Sequence, residues 1–227
     1  MRKNDFTKEE EKRQQYVRML EKLSSPVYDP RKWEEQRKFV YKTSPLNVDV
    51  IMDDTTLREG LQMAKLSSPS PEDMCHIACL LRDIGVEREE VITYTKSDQE
   101  AVKMMQDEGL GEMLAAWCRA VIEDVDIALK LGFTQVGISH PVSYIHFQKW
   151  PKEGLEELVD RVVNTVQYAV NHDLRVFVHG EDSTRADWDF EKKFINAVAD
   201  AGAEVYRICD TIGCGLSNPR APLPNGI

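Results

Sequence analysis

Short apolar runs alternate with amphipathic helical stretches along most of this chain, and that alternation limits the folds open to it. The runs are Val48–Met52, Val91–Tyr94, Met113–Cys118, Gln135–Ser139, Arg175–His179 and Val205–Cys209. After the first of them, Met74, Ile77, Leu81 and Ile84 recur at helical spacing behind a Ser70–Pro71 start, and Gly85 supplies the stop. Further helices are predicted from about Ser97 to Glu108, Glu123 to Leu131, Lys152 to Asn171 and Asp189 to Ala201. Strand followed by helix, repeated, gives a parallel sheet covered by helices. Polar clusters follow the strands. That arrangement fits a (β/α)8 barrel of the TIM type, whose sites lie at the carboxyl ends of the strands, better than an open sheet.

A complete barrel needs eight strand–helix units, and the sequence supplies six strands. The tail Pro219–Ile227 reads as a loop where the next helix would begin. The expectation is a partial barrel over residues 47–227, either a fragment of a longer chain, the favoured reading, or a barrel left open at an exposed edge. Residues 1–46 read as an N-terminal helical extension. Tyr16, Val17, Leu20 and Leu23 give it a thin apolar stripe up to Ser24-Ser25-Pro26, and a second short helix spans Pro30 to Tyr41. It is expected to pack on the same or a neighbouring subunit, in a homo-oligomer.

Composition narrows the partners. The chain has 227 residues, 42% of them hydrophobic, which suits a packed domain. A formal net charge of -10 argues against nucleic acid or an anionic membrane as the main partner. No apolar run approaches the roughly 20 residues of a membrane span. The start, Met1-Arg2-Lys3-Asn4-Asp5, leads into charge rather than an apolar signal core. Five cysteines, an odd number without a disulfide-rich spacing, point to reduced thiols and the cytoplasm.

The chemistry gathers after the strands. Asp53-Asp54-Thr55-Thr56-Leu57-Arg58-Glu59-Gly60-Leu61-Gln62 follows the first run. There Arg58 can clamp a carboxylate, Glu59 can ligate a divalent metal, and Gly60 allows a sharp turn. Glu90 stands in Gly85-Val86-Glu87-Arg88-Glu89-Glu90-Val91, either near a substrate or simply solvated or paired with Arg88. Arg119 follows the third run and is a second carboxylate binder or the partner of Glu123 or Asp124. His140 and His146 fall in the loop after the fourth run, as ligands or as surface residues. Glu181, Asp182 and Arg185 follow the fifth run, the last two as an expected structural ion pair. Asp210 and Thr211 follow the sixth, with Asp210 expected to order its loop.

Three of these segments, TLREG, GEDSTRAD and DTIG, together resemble the HMG-CoA lyase-like, or DRE-TIM, family over roughly residues 47–219. That family includes isopropylmalate, homocitrate and citramalate synthases and HMG-CoA lyase. The resemblance implies a divalent metal (Mg, Mn or Zn) and the joining of an acyl-CoA to a 2-keto acid by Claisen-type condensation. It carries Arg58, Glu181 and Glu90 over as catalytic, Gln62, Arg119, Thr211 and His146 as substrate-binding, and Glu59 as a metal ligand. Cleavage of a hydroxyacyl-CoA on the same scaffold is an alternative. So is a partial barrel without activity that binds a partner through its N-terminal helices.

Departures from the pattern sharpen the expectation. Glu59 after Arg58 is similar to the homocitrate synthases, whereas Arg119 is similar to the isopropylmalate synthases. Phe177 stands where synthases that bind a dicarboxylic keto acid often carry Arg, which argues against such a substrate. The family's H-x-H metal pair on the seventh strand has no counterpart: His76, His140, His146, His172 and His179 are widely spaced. One carboxylate does not fix a divalent ion against water, so the chain as it stands is expected to bind metal weakly or not at all and to be inactive.

Overall fold

A computed structural model describes residues 8, 10–15, 51–63, 68–149 and 153–213. Six strands form one sheet in the order β1-β2-β3-β4-β5-β6. They are β1 (Asp53–Asp54), β2 (Arg88–Val91), β3 (Leu114–Arg119), β4 (Gln135–Pro141), β5 (Arg175–Glu181) and β6 (Val205–Ile208). Every neighbouring pair is parallel, with Glu90 opposite Ala115, Gly137 opposite Phe177 and His179 opposite Arg207. Consecutive parallel strands need helical crossovers, and five helices of nine or more residues supply them. These are α1 (Pro71–Asp83), α2 (Lys96–Asp107), α3 (Ile122–Lys130), α5 (Leu155–Val170) and α6 (Trp188–Asp200), with a single turn, α4 (Tyr144–Phe147), after β4.

The helix starts follow side-chain chemistry. Ser70 accepts from the Asp73 amide while Asp73 accepts from that of Ser70, and Thr95 and Asp98 do the same for α2. Asp187 caps α6 through the Phe190 amide at 3.0 Å. Gly85 leaves α1 at φ +92°, where a side chain would be strained. Between sheet and helices lies the core, with Ala116, Cys118, Val136, Ile138, Val176 and Val178 of the strands closed to solvent. Val125, Leu158, Val162, Val166, Phe190 and Phe194 pack on them from the helices.

The sheet is curled. Arg207 on β6 bonds Asp53 on β1, although four strands separate the two in the sheet. The architecture is a partial α/β barrel of the expected type. Its two edges, β1 and β6, are unpaired with each other, and no helix among the described residues is long and apolar enough to cross a membrane.

Several placements differ from the sequence reading, and the fifth strand runs two residues further than read, so that Glu181 is its last residue. The second strand is Arg88–Val91, not Val91–Tyr94. Three consecutive charged residues, Arg88, Glu89 and Glu90, make up most of it, each with a partner inside the fold, so apolarity alone misplaces it by three residues. The first strand is Asp53–Asp54; Ile51 and Met52 precede it outside the ladder, and residues 48–50 lie outside the described part. The fourth strand runs on to Pro141, which puts His140 within a strand and not in a loop. The helical readings over residues 16–46 and the tail 214–227 also lie outside the described residues.

Residues 10–15 are helical and dock on the sheet's carboxyl end. The Arg13 guanidinium is buried and donates to the carbonyls of Phe147 (2.8 Å) and Glu153 (2.7 Å). The Glu10 carboxylate accepts from the Leu155 amide at 3.2 Å, where a negative charge favours the N-terminus of α5.

Candidate active site

Side chains alternate across a strand, so every second residue of the sheet faces the barrel interior. Here those positions are largely polar. Glu90, buried, meets His179 Nε2 at 2.9 Å and is also bonded by Arg207. Arg207 bonds Asp53 as well, and Arg88 reaches Asp53 at 3.2 Å. Phe177, closed to solvent, is flanked by Arg88 at 3.9 Å and Arg207 at 5.3 Å from the ring centroid. A side chain on Gly137 would destroy this arrangement: its Cβ would stand 2.6 Å from His179 Nε2 and 3.2 Å from Glu90 Oε1.

Arg58 sits on a wide helical turn, Thr56–Gly60, directly after β1. Leu57 buries its side chain and its amide donates to Glu89 Oε1 at 3.1 Å, which pins the turn to β2. The Arg58 guanidinium lies 4.4 Å from the Trp117 ring centroid and pairs with Glu59. Its Nε is buried without a hydrogen-bond partner among the described residues.

At the end of β5, Glu181 Oε1 is 2.9 Å from His146 Nδ1 and 3.9 Å from Lys149 Nζ. Asp182 adopts φ 65°, ψ 32°, an uncommon conformation outside glycine, and several bonds hold it there. Arg185 donates to it at 2.7 and 2.8 Å, Ser143 Oγ donates at 2.5 Å, and its own amide donates to Thr211 Oγ1 at 2.8 Å.

Charges set the protonation of this face. Burial alone would raise the Glu90 carboxyl, but His179, Arg207 and Arg58 together hold it below the ordinary glutamate range. Burial raises Asp53 despite Arg207. The Cys209 thiol is pushed up to about 11 by burial and by Glu90, against Arg207 and Arg58, with Glu181 adding to the rise.

The sequence-derived residues therefore divide. Arg58 follows β1 and lies on Trp117, Glu181 ends β5 and touches His146, and Glu90 on β2 pairs with His179 and Arg207. Glu90 pairs with His179 and Arg207, not with solvent or Arg88. Arg119 is held in a bidentate bond by Asp124 (2.9 and 2.7 Å), which decides between its two candidate partners. Thr211 accepts the Asp182 amide, so its hydroxyl helps order the loop; Thr184 Oγ1 donates to Asp210 at 2.9 Å in the same loop. Gln62 is exposed. The Glu59 side chain is 61% exposed. His140 is buried against Phe194 on the helix side of the sheet, its Nδ1 2.8 Å from the Pro141 carbonyl, and burial lowers its pKa to about 4. Arg207 and Asp53 are the residues that sequence reasoning passed over. The signal was an Arg and an Asp at inward positions of otherwise short strands.

No group of three or more His, Cys, Asp or Glu able to hold a metal ion occurs among the described residues.

Residues 49–221 match the HMGL-like family model. The chain is 33% identical over 184 residues to a putative (R)-citramalate synthase of Methanothermobacter thermautotrophicus, covering 75% of this chain and 37% of the relative. It is 34% identical over 166 residues to 2-isopropylmalate synthase 2 of Caldanaerobacter subterraneus, covering 72% and 43% of the two chains. It thus spans about two-fifths of the length of these relatives. In fold it is similar to the hydroxymethylglutaryl-CoA lyase of Pseudomonas aeruginosa (TM-score 0.63, 18% identity, 73% of this chain and 59% of that one). The Bacillus subtilis HMG-CoA lyase is similar too (TM-score 0.61, 16% identity, 76% and 61% covered). With three-quarters of its length inside the family model, this chain belongs to the HMGL-like family.

Proposed function

We propose that this chain carries the substrate-orienting face of an enzyme that condenses an acyl-CoA with a 2-keto acid. The supporting observation is the Arg58 guanidinium held on the Trp117 ring just after β1, in a chain whose relatives bear the names of citramalate and isopropylmalate synthases. A guanidinium braced on Trp117 presents donors to a keto oxygen or carboxylate, and it stabilises negative charge that develops there. Glu181, touched by His146 Nδ1, is placed to move a proton at the acyl carbon. Glu90, kept ionised, holds His179 and Arg207 in register beneath Arg58. The Phe177 ring between Arg88 and Arg207 fills the position of a second substrate-facing arginine, which favours a monocarboxylic keto acid.

The divalent metal of the resemblance does not fit the described residues. Glu59 is exposed and paired with Arg58, and no second donor stands beside it among the described residues. The chain by itself binds Mg, Mn or Zn weakly on this reading and releases no CoA. Partners are the two substrates and further copies of the chain, in the cytoplasm.

Calorimetry with pyruvate and 2-oxoisovalerate tests the assignment. Binding that weakens on Arg58→Ala is expected; keto acid affinity unchanged by that substitution would overturn it. A thiol-release assay with acetyl-CoA and the same acids tests the inactivity of the chain alone.

A further inference from the structure

On the helix side of the sheet, three side chains that the proposed chemistry does not use meet beside the Glu181–Asp182 turn. Glu191 of α6 is closed to solvent, and so is Ser183, the residue after the turn. Ser183 Oγ lies 2.5 Å from Glu191 Oε1 and 2.7 Å from the Gly180 carbonyl oxygen. The Tyr206 hydroxyl of β6 lies 2.7 Å from the same Glu191 Oε1. Gly180 makes room for it, since a Cβ there would overlap the Tyr206 oxygen.

Proton counting decides the state of the carboxyl. Oxygens this close need a proton between them. A carbonyl oxygen only accepts, so the single Ser183 proton belongs to the Gly180 contact. Tyr206 keeps its own proton, because burial raises its pKa, and that proton serves the contact with Glu191. The contact between Ser183 and Glu191 is left, and an ionised carboxylate has no proton to put there. A carboxylic acid has one, and three contacts then match three protons. Glu191 Oε2 is buried with no hydrogen-bond partner among the described residues, which suits a neutral carbonyl oxygen and not a share of a negative charge.

Among the described residues no cation pairs with Glu191. On α6 itself, Asp187 and Asp189 pair with Lys12, Lys192 is exposed, and Lys193 lines the groove toward α5. Arg185 is held by Asp182, and Arg161 of α5 pairs with Glu153. Arg207 and His179 lie with Glu90 on the interior side of the sheet, and His140 stacks on Phe194. Burial accordingly raises the Glu191 carboxyl, against the Ser183 and Tyr206 bonds.

We propose that Glu191 is a neutral carboxylic acid in the native fold, that its proton, donated to Ser183 Oγ, latches α6 and β6 to the turn carrying Glu181 and Asp182, and that rising pH releases this latch. A carboxyl raised on folding contributes fully below its ordinary value of 4.5, and the contribution is lost as pH rises through the folded value. The inference does not depend on the reaction proposed above.

Infrared difference spectra of the full chain in near-neutral buffer, parent minus Glu191→Gln, are expected to show the carbonyl stretch of a protonated carboxylic acid. The subtraction cancels the band of any other protonated carboxyl, Glu89 included. Hydrogen exchange at the Asp182, Ser183 and Cys209 amides, which close the turn, gives a second readout. The ratio of parent to Glu191→Gln rates is expected to rise with pH by up to about tenfold per unit, since the amide does not ionise. A carboxylate band in place of the acid band, or a ratio that stays flat with pH, would overturn the proposal. If Glu191→Gln does not fold, Tyr206→Phe takes its place. Loss of one hydrogen bond to Oε1 should then shift the acid band in frequency, and a spectrum without that shift counts against the neutral carboxyl.

Discussion

At the scale of single residues, Glu89 carries the largest electrostatic load. It is closed to solvent beneath the Arg58 turn, where it accepts the Leu57 amide. Burial raises its pKa to about 9, and Asp54 and Asp53 add to the rise against the Leu57 bond. A carboxyl whose pKa is raised on folding binds its proton more tightly in the native state. Its contribution to stability is therefore full below the ordinary value of 4.5 and is lost as pH rises through about 9. Glu89→Gln removes that dependence. Thermal melts should show the variant about 2–6 °C more stable than the parent near pH 8.5, from a difference of about 1–2 kcal/mol, and level with it near pH 4.5. Arg58→Lys should weaken 2-keto acid binding about tenfold in calorimetry, because an ammonium does not reproduce the guanidinium fork. Gly137→Ala, with its Cβ 2.6 Å from His179 Nε2, should cost about 1–3 kcal/mol in denaturant unfolding, since the imidazole can give way only by loosening its contact with the buried Glu90.

At the scale of elements, the N-terminal helical stretch stands out. Arg13 ties it to the carbonyls on either side of the segment between α4 and α5, the segment that follows His146. Arg13→Ala should speed hydrogen exchange at the start of α5 at least several-fold and leave α2 and α3 unchanged. This tie was open in the sequence only as a packing expectation, because nothing local marks two carbonyls more than a hundred residues away as its acceptors. Helix α1 was legible from Ser70, Pro71, Gly85 and the apolar stripe, all local signals. Strand β2 was not. Arg88, Glu89 and Glu90 read as a polar stretch until Asp53, Leu57 and His179 are known to face them. The same holds for the site: Arg58 and Glu181 announce themselves by motif, whereas Arg207 becomes visible only once the sheet curls.

For the molecule as a whole, two strand edges are decisive. Ile51 and Met52 beside β1, and Val205, Ile208 and Ile212 on or after β6, are 40–64% exposed. Apolar side chains next to unpaired strand backbone favour association. Sedimentation velocity should show concentration-dependent assembly, reduced by Ile208→Lys; a monomer at all concentrations would exclude self-association through this edge. The strand order has a further outcome for how the chain is made. Each strand pairs with the one synthesised before it, so the sheet can grow in step with the ribosome. The contacts of Arg207 obey a different clock. They join residues 154 and 117 positions apart, and they cannot form until β6 has emerged. Until then Asp53 and Glu90 lack that guanidinium, and water must solvate them. A nascent chain halted before Arg207 would therefore hold its early strands loosely, and the arrival of one side chain would convert an open, hydrated trough into a closed one.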